Sequence, residues 1–392
     1  MTKFAPPKRL QGIEKSVIRQ VFDRARPGSI NLGLGEPDLP TPDVIRKAAV
    51  KVILEEQNGY TSHAGLPALR EKVAAEYRYL ERKPERVIIT AGSQEALYLA
   101  LLALVDEGDE VLLPNPGFVA YPTIVRMAGG SATFYRLPRE RGFAFDRDEF
   151  RRALSPRTKV VVCISPSNPT GRTLSTDDLA SIGDALRDHG AYLISDEIYR
   201  DLYYTAGRPG SPASFYDQTI AIGGLSKSMS MTGWRLGWLC GEEAVIQAAL
   251  VLHGYVTTCA SAVSQKASLA AWTDEAEEAR AGFRETFRAR RDHLLSLIDA
   301  ELGLRAVTPD GAFYTMLDVN EYGSSMEVAE ALLNERVITV PGAAFGSESE
   351  GFLRVSFCAD HDTLAEGVRR IKEAIHRLPR KPLKSVDKEV MT

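Results

Sequence analysis

The stretch TIAIGGLSKSMSMTGWRLGWLCG, residues 219–241, contains two apolar runs, TIAIGG (219–224) and LGWLCG (236–241). Between them stands a lysine, Lys227, flanked by serines, with an arginine, Arg235, eight residues further on. Short apolar runs of this kind read as strands buried on both faces. A lysine placed just after such a strand is either a solvated surface charge or a group that performs chemistry. The rest of the chain has to decide between the two.

Similar runs recur upstream: RVIIT (86–90), EVLLP (110–114), SATFYRL (131–137), TKVVVCIS (158–165) and AYLIS (191–195). Helical patterns such as SQEALYLALLALV (93–105) separate them. This alternation predicts an α/β fold with a mostly parallel sheet covered by helices. In such sheets ligands gather beyond the carboxyl ends of the strands. After a long charged helical pattern (277–303), the runs GAFYTMLDV (311–319) and GFLRVSF (351–357) read as strands around a helix, SMEVAEALLNERV (325–337). They predict a smaller α+β domain. The expected division is a large domain over 41–285, a small domain from 1–40 and 286–380, and a flexible tail over 381–392.

Composition narrows the function. The 392 residues are 44% hydrophobic and 26% charged with a net charge of −4, which suits a soluble globular protein and offers no footprint for nucleic acid. The longest apolar run, ALYLALLALV (96–105), is far short of the ~20 residues that span a bilayer. MTKFAPPKRL at the start lacks the apolar core of a signal peptide. Cys163, Cys240, Cys259 and Cys358 form no C-x-x-C pair, which predicts reduced thiols and a cytoplasmic location. The six histidines show no ligand spacing, so no metal site is expected.

Several strand ends carry chemistry-bearing residues. In TAGSQEAL (90–97) a strand ends at Thr90 and a helix begins near Ser93, so free backbone N–H groups beside a glycine suit a phosphate. The alternative is an ordinary turn with a serine cap. In SPSNPTGR (165–172) two prolines and a glycine fix a loop from which Asn168 either points at a ligand or stabilises the turn. Asp196 ends the strand in YLISDEIYRDL (192–202), where a buried carboxylate needs a strong donor or a cation. Tyr199 follows three residues later; the competing reading has Asp196 capping the next turn. A partly desolvated Lys227 becomes a nucleophile toward carbonyls, and Arg235 can clamp a phosphate. Together this set suits pyridoxal phosphate: a Schiff-base lysine, an aspartate on the pyridinium nitrogen, Asn and Tyr on the ring oxygen, and amides plus an arginine on the phosphate.

With LGLGEPDLPTP (32–42), YTSHAGLPALR (60–70), AGSQEAL (91–97), PNPGFVAYP (114–122), SPSNPTG (165–171), SDEIY (195–199), SKSMSMTGWRLGW (226–238) and LRVSF (353–357), the chain resembles the class I/II aminotransferases. These are fold-type I pyridoxal-phosphate enzymes, and the matching segments run in the family's order over nearly the whole chain. The resemblance implies that Lys227 is the Schiff-base lysine and proton shuttle and that Asp196 pairs with the pyridinium. Tyr199 and Asn168 contact the ring oxygen, and Phe118 stacks on the ring. Gly92, Ser93 and Gln94 supply backbone to the phosphate, with Arg235 as its charge clamp. Tyr60 would reach the phosphate of a partner subunit, which implies a homodimer. Many members carry Ser or Thr three residues before the lysine; here that position is Gly224, while Ser226 is retained beside Lys227.

Arg354 interrupts an apolar strand in GFLRVSF, which is costly unless its guanidinium is paired. It is either an edge-strand arginine facing water or, as the resemblance implies, the clamp on a substrate α-carboxylate, with Gly35 and Asn168 nearby. The expected reaction is transamination in two halves, from an L-amino acid to a 2-oxo acid such as 2-oxoglutarate. Two rivals use the same residues: an elimination enzyme of the C–S lyase kind, and a ligand-sensing regulator, for which no DNA-binding module fits before residue 32. Leu34, Phe118, Tyr314 and Phe345 suggest an apolar or aromatic side-chain pocket, and Gln94 stands where some aspartate-using members carry lysine. A neutral or aromatic donor is therefore expected.

Overall fold

The computed structural model describes Pro7, residues 10–81 and residues 83–380, so the tail expected over 381–392 lies outside the described residues. The strands are β1 (Ile30–Asn31), β2 (Val87–Thr90), β3 (Glu110–Asn115), β4 (Ser131–Arg136), β5 (Thr158–Ile164) and β6 (Tyr192–Asp196). They continue with β7 (Thr219–Gly224), β8 (Gly237–Cys240), β9 (Tyr314–Asp318), β10 (Val337–Ile338), β11 (Val340–Pro341) and β12 (Phe352–Ser356). One seven-stranded sheet has the order β2-β8-β7-β6-β5-β3-β4. Only β8 runs against its neighbours, antiparallel to both β2 and β7. The other pairs, β3 with β4 and β5, β5 with β6, and β6 with β7, are parallel.

The centre of this sheet is dry, as continuous apolar runs require. Val160, Val161, Val162, Ile194, Ile220 and Ile222 have no exposed surface. Each such side chain contributes about 1.5–3 kcal/mol by leaving water. The helix Ser93–Leu104 buries Ala96, Leu97, Leu99, Ala100, Leu101 and Leu104, so its apolar run is a core helix. Among the described residues no helix is long and apolar enough to cross a membrane.

A three-stranded antiparallel sheet, β11-β12-β9, makes the second layered unit. The same apolar core reaches it: Val162 and Ile194 belong to one cluster with Leu317 and Val355. The charged helical pattern forms the helix Asp274–Leu297, begun by the Thr273 hydroxyl accepting from the Ala276 N–H and ended by a wider turn over Ile298–Leu302. One expected element is shorter than its pattern. The helix over 325–337 stops at Asn334, because Arg336 takes a left-handed φ of +59°. Val337 and Ile338 then pair in parallel with Ile30 and Asn31.

Candidate active site

The residues that follow β2, β3, β5, β6 and β7 meet at the carboxyl edge of the large sheet. Arg235 precedes a strand and still arrives at that edge, because β8 runs in the opposite direction and so begins there. A cavity of about 240 Å³ opens at this edge, lined by Gly35, Ser93, Gln94, Phe118, Asn168, Asp196, Tyr199, Ser226, Lys227, Arg235 and Arg354. Two predicted residues are not on its wall. Gly92 lies directly behind Arg235, and Tyr60 is 90% exposed, pointing away from this chain's core.

The turn after β2 is built around Gly92, the cap of the helix Ser93–Leu104, with φ +90°. A Cβ there would lie 2.6 Å from Nη2 of Arg235, so a glycine permits the guanidinium to rest on the turn. The N–H of Gly92 donates to the Thr90 carbonyl at 2.8 Å. The N–H groups of Ser93 and Gln94, which open the helix, are therefore the ones left for an anion. Arg235 donates to the carbonyls of Thr232 (2.9 Å) and Ala91 (3.5 Å). Both are neutral acceptors, and its positive charge has no acidic partner among the described ion pairs.

Asp196, at the end of β6, is only 7% exposed. Its Oδ2 accepts from the Tyr121 hydroxyl at 2.9 Å and its Oδ1 from the Ile198 N–H at 3.2 Å. The capping interaction and the strong donor thus both exist, on different oxygens. Burial raises its pKa to about 6, against the opposing effect of the Tyr121 hydrogen bond. Tyr121 was not among the expected site residues. The signal was its spacing, three residues after Phe118 in PGFVAYP, and the two rings meet edge to face at 5.5 Å.

Lys227 leaves β7 and donates from Nζ to the Gly35 carbonyl at 2.8 Å. Burial lowers its pKa to about 8, and the positive charges of Arg354 and Arg235 act in the same direction. Gly35 is held close to Tyr314: a Cβ at residue 35 would sit 1.8 Å from the tyrosine oxygen. The Tyr314 hydroxyl shares a 2.9 Å hydrogen bond with that of Tyr199, a pairing that links two sheets and that no local pattern announces. At Gly224 a side chain would meet Ile198 Cδ1 and the Leu236 carbonyl at 3.0 Å, so a hydroxyl there has little room.

Arg354 is not an edge-strand arginine. It sits mid-way along β12, the central strand of its sheet, and is 2% exposed. Nη1 donates to Asn168 Oδ1 at 2.7 Å and Nη2 to the Gly33 carbonyl at 2.6 Å. Its guanidinium lies over the rings of Tyr314 (4.3 Å) and Phe345 (4.8 Å). Burial lowers its pKa, and its Nε finds no partner among the described residues. Of the expected pocket residues, Phe345 and Tyr314 hold this arginine, while Leu34 is 39% exposed. Ile18, from the short helix Val17–Asp23, and Thr232 also line the cavity, and sequence patterns had not singled them out.

This donor set fits pyridoxal phosphate. A carboxylate with a raised pKa waits for a cation, a lysine with a lowered pKa stands ready as a nucleophile, and Phe118 offers a ring face. Arg235 and Arg354 have no acidic partner among the described residues, which leaves both guanidinium groups able to bind an anion. The family model for aminotransferase class I and II matches residues 27–371. A probable aspartate aminotransferase of Methanocaldococcus jannaschii is 34% identical over 93% of this chain and 98% of its own length. The aspartate/prephenate aminotransferase of Thermus thermophilus is 37% identical over 89% of this chain and 91% of its own. The solved structure of aspartate aminotransferase from Thermus thermophilus with maleate superimposes with a TM-score of 0.90 at 35% identity, covering 95% of this chain and all of that one. The chain belongs to the class I and II aminotransferases. It is a pyridoxal-phosphate-dependent aminotransferase of fold type I.

Proposed function

We propose that Lys227, Asp196 and Arg354 carry the transfer of an amino group from an L-amino acid to a 2-oxo acid, with 2-oxoglutarate as acceptor. The observation that carries this reading is the Lys227 amine, with its pKa lowered to about 8, beside two arginines that have no acidic partner among the described residues. When bound, the cofactor supplies an electron sink for the pair left as the substrate Cα–H bond breaks. Lys227 would take that proton from Cα and deliver it to the bound cofactor within the same half-reaction, and would move it in the opposite direction, back to Cα, in the second; the task suits an amine with a pKa near working pH. Asp196, ionised above about pH 6, holds a proton on the pyridine nitrogen. Arg354 binds the substrate α-carboxylate with its fork of donors, oriented by Asn168 and the Gly33 carbonyl. Tyr199 and the amide N–H of Asn168 orient the ring oxygen, Phe118 covers the ring, and Ser226, Ser93, Gln94 and Arg235 receive the phosphate.

The working unit in this reading is a homodimer in which Tyr60 completes the phosphate site of the partner subunit. Its near-complete exposure supports this, as do Leu54, Val251 and Tyr255, apolar or aromatic residues exposed by 77%, 63% and 92%. The donor side chain is neutral or aromatic. Arg235 and Arg354 are assigned to the phosphate and the α-carboxylate, and the described cavity wall offers no third arginine for a distal carboxylate. The names of the relatives favour a second reading, in which aspartate is the donor.

Single-turnover release of 2-oxo acid, measured without acceptor for each amino acid, tests both points. Release is expected to stop at one equivalent per site and to be fastest with neutral or aromatic donors. Continued release of pyruvate and ammonia would replace transfer with elimination, and a clear preference for aspartate would replace the donor assignment. Lys227→Ala is expected to slow the step by about a thousandfold or more; turnover at the wild-type rate would end the proposal.

A further inference from the structure

Glu95 is the third residue of the helix Ser93–Leu104, and its carboxylate folds back over the turn that precedes the helix. Oε2 accepts the N–H of Ala91 at 2.5 Å. Oε1 accepts from Nδ1 of His253 at 3.0 Å and from the Thr257 hydroxyl. Both of these donors come from the end of the helix Glu243–Val256. His253 has no exposed surface, and its Nε2 finds no partner among the described residues. Among the described residues the one polar contact of its side chain is therefore directed at Glu95.

An acidic residue at this helix position ordinarily reaches back to the N–H of the cap residue. Here the N–H of the cap, Gly92, is already taken by Thr90, and Glu95 reaches one residue further. Ala91 is thus held on both sides, its N–H by Glu95 and its carbonyl by Arg235 at 3.5 Å. Burial alone would raise the Glu95 pKa; the hydrogen bonds from His253, Thr257 and Ala91 outweigh it and keep the group below the ordinary carboxylate value. A carboxylate free to turn at a helix N-terminus would itself be drawn to the open N–H groups. His253 and Thr257 keep it away from them.

We propose that Glu95 is a positioning residue for the phosphate end of the site: held by His253 and Thr257, it fixes Ala91 so that the N–H groups of Ser93 and Gln94 and the guanidinium of Arg235 stay aimed at one anion. This rests on the reading that the phosphate binds at this turn.

The test titrates cofactor-free protein with pyridoxal phosphate and with pyridoxal, which lacks the phosphate, in the wild type, Glu95→Ala, Glu95→Gln and Arg235→Ala. Glu95→Ala is expected to weaken pyridoxal phosphate about tenfold while changing pyridoxal by less than about twofold. Glu95→Gln retains most of the affinity, because its amide oxygen still accepts from Ala91. Equal weakening of both ligands by Glu95→Ala would mean a general structural role and overturn the proposal. Tighter phosphate binding in both Glu95 variants would mean that the carboxylate merely repels, and would overturn it too. Arg235→Ala separates the phosphate assignment from the positioning role of Glu95. If it also fails to distinguish the ligands, the phosphate assignment falls; if it distinguishes them while Glu95→Ala does not, only the positioning role falls. Should Glu95→Ala not fold by circular dichroism, Thr257→Val removes one donor to Glu95 and is expected to shift the same ratio by about threefold, an unchanged ratio counting against the proposal.

Discussion

Arg235 and Arg354 reach one cavity from different sheets and illustrate two ways of keeping a positive charge available. Arg235 is exposed, follows the short turn Thr232–Trp234 with φ +53°, and leans on carbonyls of its own turn and of Ala91. Arg354 is buried between two aromatic rings and fixed by an amide oxygen and a carbonyl. Among the described residues neither is neutralised by a carboxylate, unlike Arg290, whose guanidinium is forked onto Asp38 at 2.6 and 3.0 Å. In the proposed role, the exposed arginine gives up little hydration and can adapt to a phosphate. The buried one has already lost its water, so a carboxylate brought to it interacts in a poorly screened environment. In the proposed roles, burial would make Arg354 the more discriminating of the two.

The sharpest way to break this comparison is Arg354→Ala. It is expected to lower kcat/KM by about a thousandfold, the scale of truncating one partner of a buried charge pair, with cofactor content unchanged. A loss confined to cofactor affinity would reverse the roles of the two arginines. A second test asks whether burial also sets the cost of the charge on Asp196, which lines the same cavity. The Asp196 carboxyl has a folded pKa of about 6 against an ordinary 3.8. Between those values the folded protein keeps a proton that the unfolded chain has released, so this group's contribution to stability is lost as pH rises through the window. In the cofactor-free protein Asp196→Asn is therefore expected to be more stable than wild type at about pH 8, by on the order of 3 kcal/mol, and equal to it below about pH 4. Urea unfolding at the two pH values checks this; a pH-independent difference would mean that burial is not the cause. The smallest effect belongs to the exposed arginine. Arg235→Lys keeps the charge but loses the fork, and is expected to weaken pyridoxal phosphate about fivefold while leaving the KM of the amino donor unchanged. A larger change in donor KM than in cofactor affinity would place Arg235 on the substrate.

Much of this site was legible because its residues sit next to local signals. TIAIGG is β7 to the residue, and Asp196 and Lys227 fall at strand ends because a continuous apolar run marks both its own length and its terminus. Arg354 was conspicuous as a charge inside such a run. The reversed direction of β8 was not legible, because an apolar strand of four residues reads the same either way. Tyr121 had only its spacing from Phe118 to announce it, and that spacing is also ordinary for a core aromatic until the fold sets Asp196 beside its hydroxyl.

The sequence by itself determined the alternation of strand and helix, the order of the charged residues along the sheet edge, and the family to which the chain belongs, because these depend on spacing between near neighbours. Tertiary structure alone decided that Tyr199 meets Tyr314, that Glu95 is held by His253 and Thr257, and that Arg354 is stacked and sealed. Each of those pairs lies more than a hundred residues apart or depends on burial. The pKa values of Asp196 and Lys227 shift for the same reason: a titratable group responds to the water it has lost, and only the packed chain removes that water.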